Sequence, residues 1–89
     1  MRAYQLRLTP SAVRSLSVLS DKHIWAIVAT MRGALLDEPY RFGKILHDDL
    51  AGWRAARCGT YRILYWVDEK AGAVVVERID HRADVYRPR

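Results

Sequence analysis

Cysteine is nearly absent. The one present, Cys58, cannot form an internal disulfide, which favours a chain kept in a reducing compartment. Three prolines and five glycines in 89 residues are too few for a low-complexity or linker-rich chain. No apolar run approaches the roughly 20 residues of a membrane-spanning helix. The start, Met1-Arg2-Ala3-Tyr4-Gln5-Leu6-Arg7-Leu8, alternates polar and apolar residues and is not a secretory leader. No Gly-rich loop ends in Lys-Ser/Thr, and no dinucleotide fingerprint is present. His23, His47 and His81 lack metal-ligand spacing, and a single cysteine adds nothing towards a four-ligand zinc site. Asp48-Asp49 is left as a candidate Mg²⁺ pair, against the plainer reading of two solvated loop carboxylates. The expectation is a cytoplasmic chain with no membrane association, no cofactor and no metal.

Half of the chain, 51%, is hydrophobic and 28% is charged. That is the composition of one globular domain over residues 1–89, a size that buries roughly 60–65% of its unfolded surface. The net charge is +5 and the pI about 9.8. Twelve of the fifteen basic residues are arginine. Guanidinium groups make planar two-pronged contacts with phosphate that lysine does not reproduce. A phosphate-binding surface and a merely solvated, arginine-rich one both fit this composition. The basic excess peaks over residues 41–65.

The periodicity predicts β-α-α-β-β-β. Tyr4, Leu6 and Leu8 share one face of an opening strand. Thr9-Pro10 reads as N-cap and first helical residue of a short helix to about Leu19, burying Val13, Leu16 and Leu19. Ser20-Asp21 caps a second helix to about Leu36, with Ile24, Ile27, Val28, Met31 and Leu35 on its apolar stripe and Trp25 at the margin. Pro39 marks its end. Residues 40–52 read as a loop. Strands follow at Trp53–Arg57, Tyr61–Val67 and Ala73–Ile79, with turns at Cys58-Gly59-Thr60 and Asp68–Gly72. From His81 the tail reads as irregular or as a single helical turn. The short connections imply an antiparallel meander. The fold class is therefore α+β, a helical hairpin on one face of a small twisted, mainly antiparallel sheet. Arg62, Leu64 and Trp66 would project from the other face.

The residues able to do chemistry are basic and phenolic: Lys44, Arg54, Arg57, Arg62, Arg78, His81, Arg82 and Tyr86. Strand arginines ordinarily snorkel to water. Arg62 lies in the central strand, where a charge needs an anion beside it, either an internal carboxylate or a ligand phosphate. Cys58 beside Arg57 reads as a half-buried turn residue or as a thiol with lowered pKa. Trp53 reads as a core residue or as a base-stacking platform.

Four segments carry a resemblance: Gly43-Lys44-Ile45-Leu46, Leu50-Ala51-Gly52, Arg57-Cys58-Gly59-Thr60-Tyr61-Arg62-Ile63-Leu64-Tyr65 and Ile79-Asp80-His81-Arg82-Ala83-Asp84-Val85-Tyr86. Together they resemble the RelE toxins of bacterial type II toxin–antitoxin systems, over essentially the whole chain. That resemblance implies a fold related to small microbial ribonucleases. It also implies metal-independent cleavage of mRNA in the ribosomal A site, by attack of the 2′-hydroxyl on the adjacent phosphate. Such a reaction needs a proton acceptor for the 2′-hydroxyl, cations for the developing phosphorane charge and a donor for the leaving 5′-oxygen. Arg62 matches the family's strand arginine on the scissile phosphate, and Arg82 its arginine near the C-terminus, which stabilises charge or assists the leaving group. Tyr86 matches the family's tyrosine, a general base or a stacking residue. His81 matches a histidine that other branches use as an acid, or is a polar strand end. Lys44, Arg54 and Arg57 would bind RNA.

The sequence departs from the best-known members, which carry two lysines on the strand before the turn. Here that strand reads Trp53-Arg54-Ala55-Ala56-Arg57. Alternation sends Arg54 and Arg57 to opposite faces, and turn spacing favours Arg57 for the site. The segment from Arg82 to Tyr86 is also shorter than in some members. The partners implied are a cognate RelB-like antitoxin, mRNA on the ribosome with its rRNA, and operator DNA for the toxin–antitoxin complex. A ParE-type toxin, which inhibits DNA gyrase by binding and is not a nuclease, is the alternative on the same fold.

Overall fold

The computed structural model describes residues 3–46 and 52–81. Strand β1 (Gln5–Leu8) leads into α1 (Pro10–Ser17) and α2 (Asp21–Thr30). The second helix continues as a wider π turn over Met31–Leu35. A one-turn helix α3 (Pro39–Phe42) and a two-residue strand β2 (Lys44–Ile45) occupy the stretch read from sequence as loop. Strands β3 (Arg54–Cys58), β4 (Tyr61–Asp68) and β5 (Ala73–His81) complete the molecule. The sheet order is β1-β5-β4-β3-β2. The meander β2-β3-β4-β5 is antiparallel, and β1 adds to β5 in parallel. The architecture is thus the expected α+β one, with a mixed sheet. β4 is its central strand, and β1 and β2 form its edges.

Local chemistry accounts for the joints. The Thr9 hydroxyl accepts the Ala12 N–H at 3.1 Å, capping α1. Gly59, at φ 60°, permits the tight turn between β3 and β4. In the β4–β5 loop the Asp68 carboxylate accepts the Ala71 N–H at 3.1 Å.

The core lies between the helices and one sheet face. Ala12, Ile27, Met31 and Leu35 meet Ala56, Ile63, Tyr65, Val74, Val76 and Ile79. Tyr4, Leu6 and Leu8 pack at its margin as their shared face requires. Val13, expected inside, is 53% exposed, and Ala12 is buried in its place. Thr9 fixes the rotation of α1, which brings the small residue against β5 and turns Val13 outward. Trp25 stands 73% exposed on α2. No helix among the described residues is long and apolar enough to cross a membrane.

Candidate active site

The sheet face away from the helices gathers the basic residues. Ile63 and Tyr65 fill the core, so alternation along β4 sends Arg62 and Leu64 to the face the helices leave open, where both side chains are nevertheless buried. Arg57 on β3 lies directly opposite Arg62, and Ala55 opposite Leu64. Lys44 on β2 pairs with Ala55. On the other side of β4, Asp80 lies opposite Arg62 and Arg78 opposite Leu64.

A β-bulge decides that last arrangement. Leu64 pairs with Arg78 and Tyr65 with Val76, so Glu77 is an extra residue in β5. Before the bulge Val74 and Val76 face the core; after it Ile79 does. The change of phase delivers Arg78 and Asp80 to the open face, where strict alternation would have driven both charges into the core. Two bonds hold the bulge. The Thr9 hydroxyl donates to the Glu77 carbonyl at 2.7 Å, and the Glu77 carboxylate accepts the Trp66 indole N–H at 2.8 Å. Thr9 therefore serves the helix and the sheet at once.

Arg62 is only 9% exposed, the one buried charged side chain among the described residues. With Phe42, Lys44, Ala55 and Arg57 it lines a pocket of about 260 Å³. Like charges directly opposite one another on adjacent strands destabilise a sheet, so the Arg57–Arg62 pairing favours an anion on this face. Arg78 donates from Nε to Asp80 Oδ2 at 2.7 Å.

The segment carrying Phe42 and Lys44 is anchored from the core side. The Tyr65 hydroxyl donates to the Pro39 carbonyl at 2.6 Å and accepts the Gly43 N–H at 3.0 Å. Burial raises the pKa of this phenol; the Gly43 bond and the nearby Arg54 guanidinium partly offset the rise. A Cβ on Gly43 would lie 2.8 Å from Tyr65 Cε1 and 2.9 Å from Cζ, so only glycine allows this approach. Arg54 donates from Nη2 to the Tyr40 carbonyl at 2.6 Å and lies 5.5 Å from the Tyr40 ring centroid.

The sequence is 46% identical to the toxin RelG of Mycobacterium tuberculosis over 84 residues, covering 94% of this chain and 97% of that one. It is 38% identical to the toxin RelE of the same organism, over 94% of this chain and 87% of that one. Among solved structures, the RelBE2 toxin–antitoxin complex of M. tuberculosis superposes with a TM-score of 0.87 at 45% identity, covering 94% of this chain and 97% of the matched chain. The chain belongs to the RelE toxin family. No family model matches the sequence.

Against the residues that the RelE resemblance nominates, the structure brings together Lys44, Arg57 and Arg62. Arg54 pairs with Tyr65 on the helix-side face and pins the Tyr40 carbonyl, on the opposite side of the sheet from Arg62. His81 ends β5 opposite Tyr61, with the two rings edge to face at 5.6 Å between centroids. Asp80, its neighbour, faces the open side with Arg62, so alternation turns His81 away from that arginine. The strand thus runs through a residue expected to start an irregular tail. Arg82 and Tyr86 lie outside the described residues, as do His47, Asp48 and Asp49. Among the described residues no group of three or more His, Cys, Asp or Glu is placed to hold a metal ion. Cys58 is half-buried, its Sγ 3.4 Å from Thr30 Oγ1. Trp53 is half-buried just before β3.

Sequence reading missed Asp80 as a member of the site. Its signal was an irregular interval: inward apolar residues at 74, 76 and then 79 cannot share a face of a regular strand.

Proposed function

We propose that this RelE-family toxin is a metal-independent endoribonuclease that cuts mRNA in the ribosomal A site. The observation that carries the reading is the buried Arg62, on the sheet face away from the helices and sharing one pocket of about 260 Å³ with Lys44 and Arg57. In the proposed reaction the ribose 2′-oxygen attacks the adjacent phosphorus. The P–O5′ bond breaks, leaving a 2′,3′-cyclic phosphate and a 5′-hydroxyl. Arg62 grips the non-bridging oxygens, and its fork becomes more valuable as phosphorane charge develops. Lys44 and Arg57 hold the flanking backbone. Arg82 supplies further charge stabilisation. Tyr86 accepts the 2′-proton or stacks on a base. A phenol with pKa near 10 is a weak base at neutral pH, and a guanidinium group placed beside a phenol would favour its phenolate. His81 as acid is the least supported assignment, because its ring packs on Tyr61.

The antitoxin complex of the similar M. tuberculosis structure supports a cognate RelB-like partner for this chain. Binding of operator DNA by that complex and a cytoplasmic location belong to the same proposal. The test is incubation of the purified toxin with translating ribosomes and mapping of mRNA 5′ ends, with EDTA kept below levels that dissociate ribosomes. Discrete A-site cuts that survive chelation support the reading. Inhibition of gyrase supercoiling without cuts selects the ParE-type alternative.

A further inference from the structure

The basic face does not stop at the pocket. Arg78 stands on β5, one strand beyond Arg62 and on the side away from Lys44 and Arg57. It is there only because the Glu77 bulge changes the phase of β5. Among the described residues its hydrogen-bonding partner is Asp80, which takes Nε and leaves the two terminal amino groups for another acceptor. The two side chains differ in exposure, 36% for Arg78 and 13% for Asp80. The carboxylate is the sheltered half of the pair and the guanidinium the accessible half. A carboxylate is otherwise out of place on a face that meets polyanions.

We propose that Arg78 is a second RNA-phosphate-binding residue, outside the pocket, and that Asp80 is the positioning residue that aims it. The inference rests on the ribonuclease reading above. Arg57 and Arg62 lie directly opposite each other on β3 and β4, and Arg78 on β5, opposite Leu64, stands on the diagonal from Arg62, about 7–8 Å away. An RNA backbone crossing the sheet in that direction meets Arg62 at the scissile phosphate and Arg78 at a neighbouring one. Tying Nε to Asp80 removes rotamer freedom from a long side chain before RNA arrives, which lowers the ordering cost of binding.

The test uses a short single-stranded RNA of mixed sequence with 2′-O-methyl riboses, which binds without being cut. Its affinity for the full toxin is measured against salt, alongside cleavage kinetics on unmodified mRNA. Loss of one phosphate contact lowers the slope of log K against log salt by about 0.7 for a single strand. Arg78→Met should show that loss equally on different sequences, with KM raised several-fold and kcat unchanged. Arg78→Gln provides a second variant, and thermal unfolding confirms that each is folded. Asp80→Ala should reproduce the Arg78→Met loss although it removes a negative charge. Asp80→Asn, whose amide oxygen still accepts the Nε–H, should bind at least as tightly as the parent. Asp80→Ala should add no further loss in the Arg78→Met background. An unchanged salt slope in folded Arg78 variants overturns the inference, as does an Asp80→Ala variant that binds as tightly as Asp80→Asn. If those results come with parental cleavage intact, the ribonuclease reading survives. If the parent itself neither binds nor cuts RNA, both fall.

Discussion

Arg62 sits in the strand where a charge costs most, opposite another arginine. On the other flank Asp80 lies opposite Arg62 and holds Arg78. Among the described residues Lys44, Arg57, Arg62 and Arg78 outnumber Asp80 on this face, and an oxyanion there should stabilise the fold. Inorganic phosphate is expected to raise the thermal midpoint of the parent by mass action and to do so much less in Arg62→Ala. Equal shifts in both proteins would mean that phosphate acts only as a general salting agent. Gly43 tests the opposite side of the site. Gly43→Ala forces a methyl group against the Tyr65 ring, and overpacking of this kind costs about 1–3 kcal/mol. Urea unfolding should show that loss, together with weaker RNA binding, because Lys44 follows directly. Arg62 and Lys44 were legible from sequence, since central-strand arginine and loop lysine are conspicuous. Asp80 was not, because its importance depends on which face it takes.

Elements here are coupled by shared residues. Thr9 caps α1 and also satisfies the carbonyl of the β5 bulge. Thr9→Ala removes both bonds, and loss of such a cap alone costs about 1 kcal/mol. The expected outcome is a loss of about 2 kcal/mol in chemical denaturation, accompanied by weaker RNA binding as the bulge that aims Arg78 relaxes. A stability loss with fully parental RNA affinity would separate the bulge from the site. Tyr65 couples β4 to α3 and β2. Its pKa is raised on folding, so above the free phenol's value of about 10 the native state holds this proton more tightly than the unfolded chain. Stability is then fully present below that pH and is lost as pH rises through the folded value. Denaturation from pH 9 to 11 should show this fall in the parent relative to Tyr65→Phe. Parallel curves would contradict it. The helices and the three long strands were readable from periodicity. The one-turn α3, the two-residue β2 and the parallel pairing of β1 were not. The first two are too short to have a period, and the third is a long-range contact that local pattern does not encode. The bulge lay hidden in Ala73-Val74-Val75-Val76, whose apolar residues on both faces mask the phase until Ile79.

At the scale of the whole molecule, a helical layer closes one face of a five-stranded sheet, and Lys44, Arg57, Arg62 and Arg78 belong to the other. Family membership follows from 46% identity across nearly the full length of a relative. The nuclease chemistry is the proposal built on the open face. Its central claim is that Arg62 stabilises the transition state of mRNA cleavage and does more than attract RNA. Single-turnover cleavage of mRNA on programmed ribosomes, with saturating toxin, compares the parent with Arg62→Ala and Arg62→Lys. Loss of one such donor costs about 10²–10³ in rate. Lysine should recover only part of that, because an ammonium cannot hold two phosphate oxygens in a fork. The account predicts a 10²-fold or greater fall for Arg62→Ala at saturation, with the fold retained; cleavage at the parental rate would contradict it.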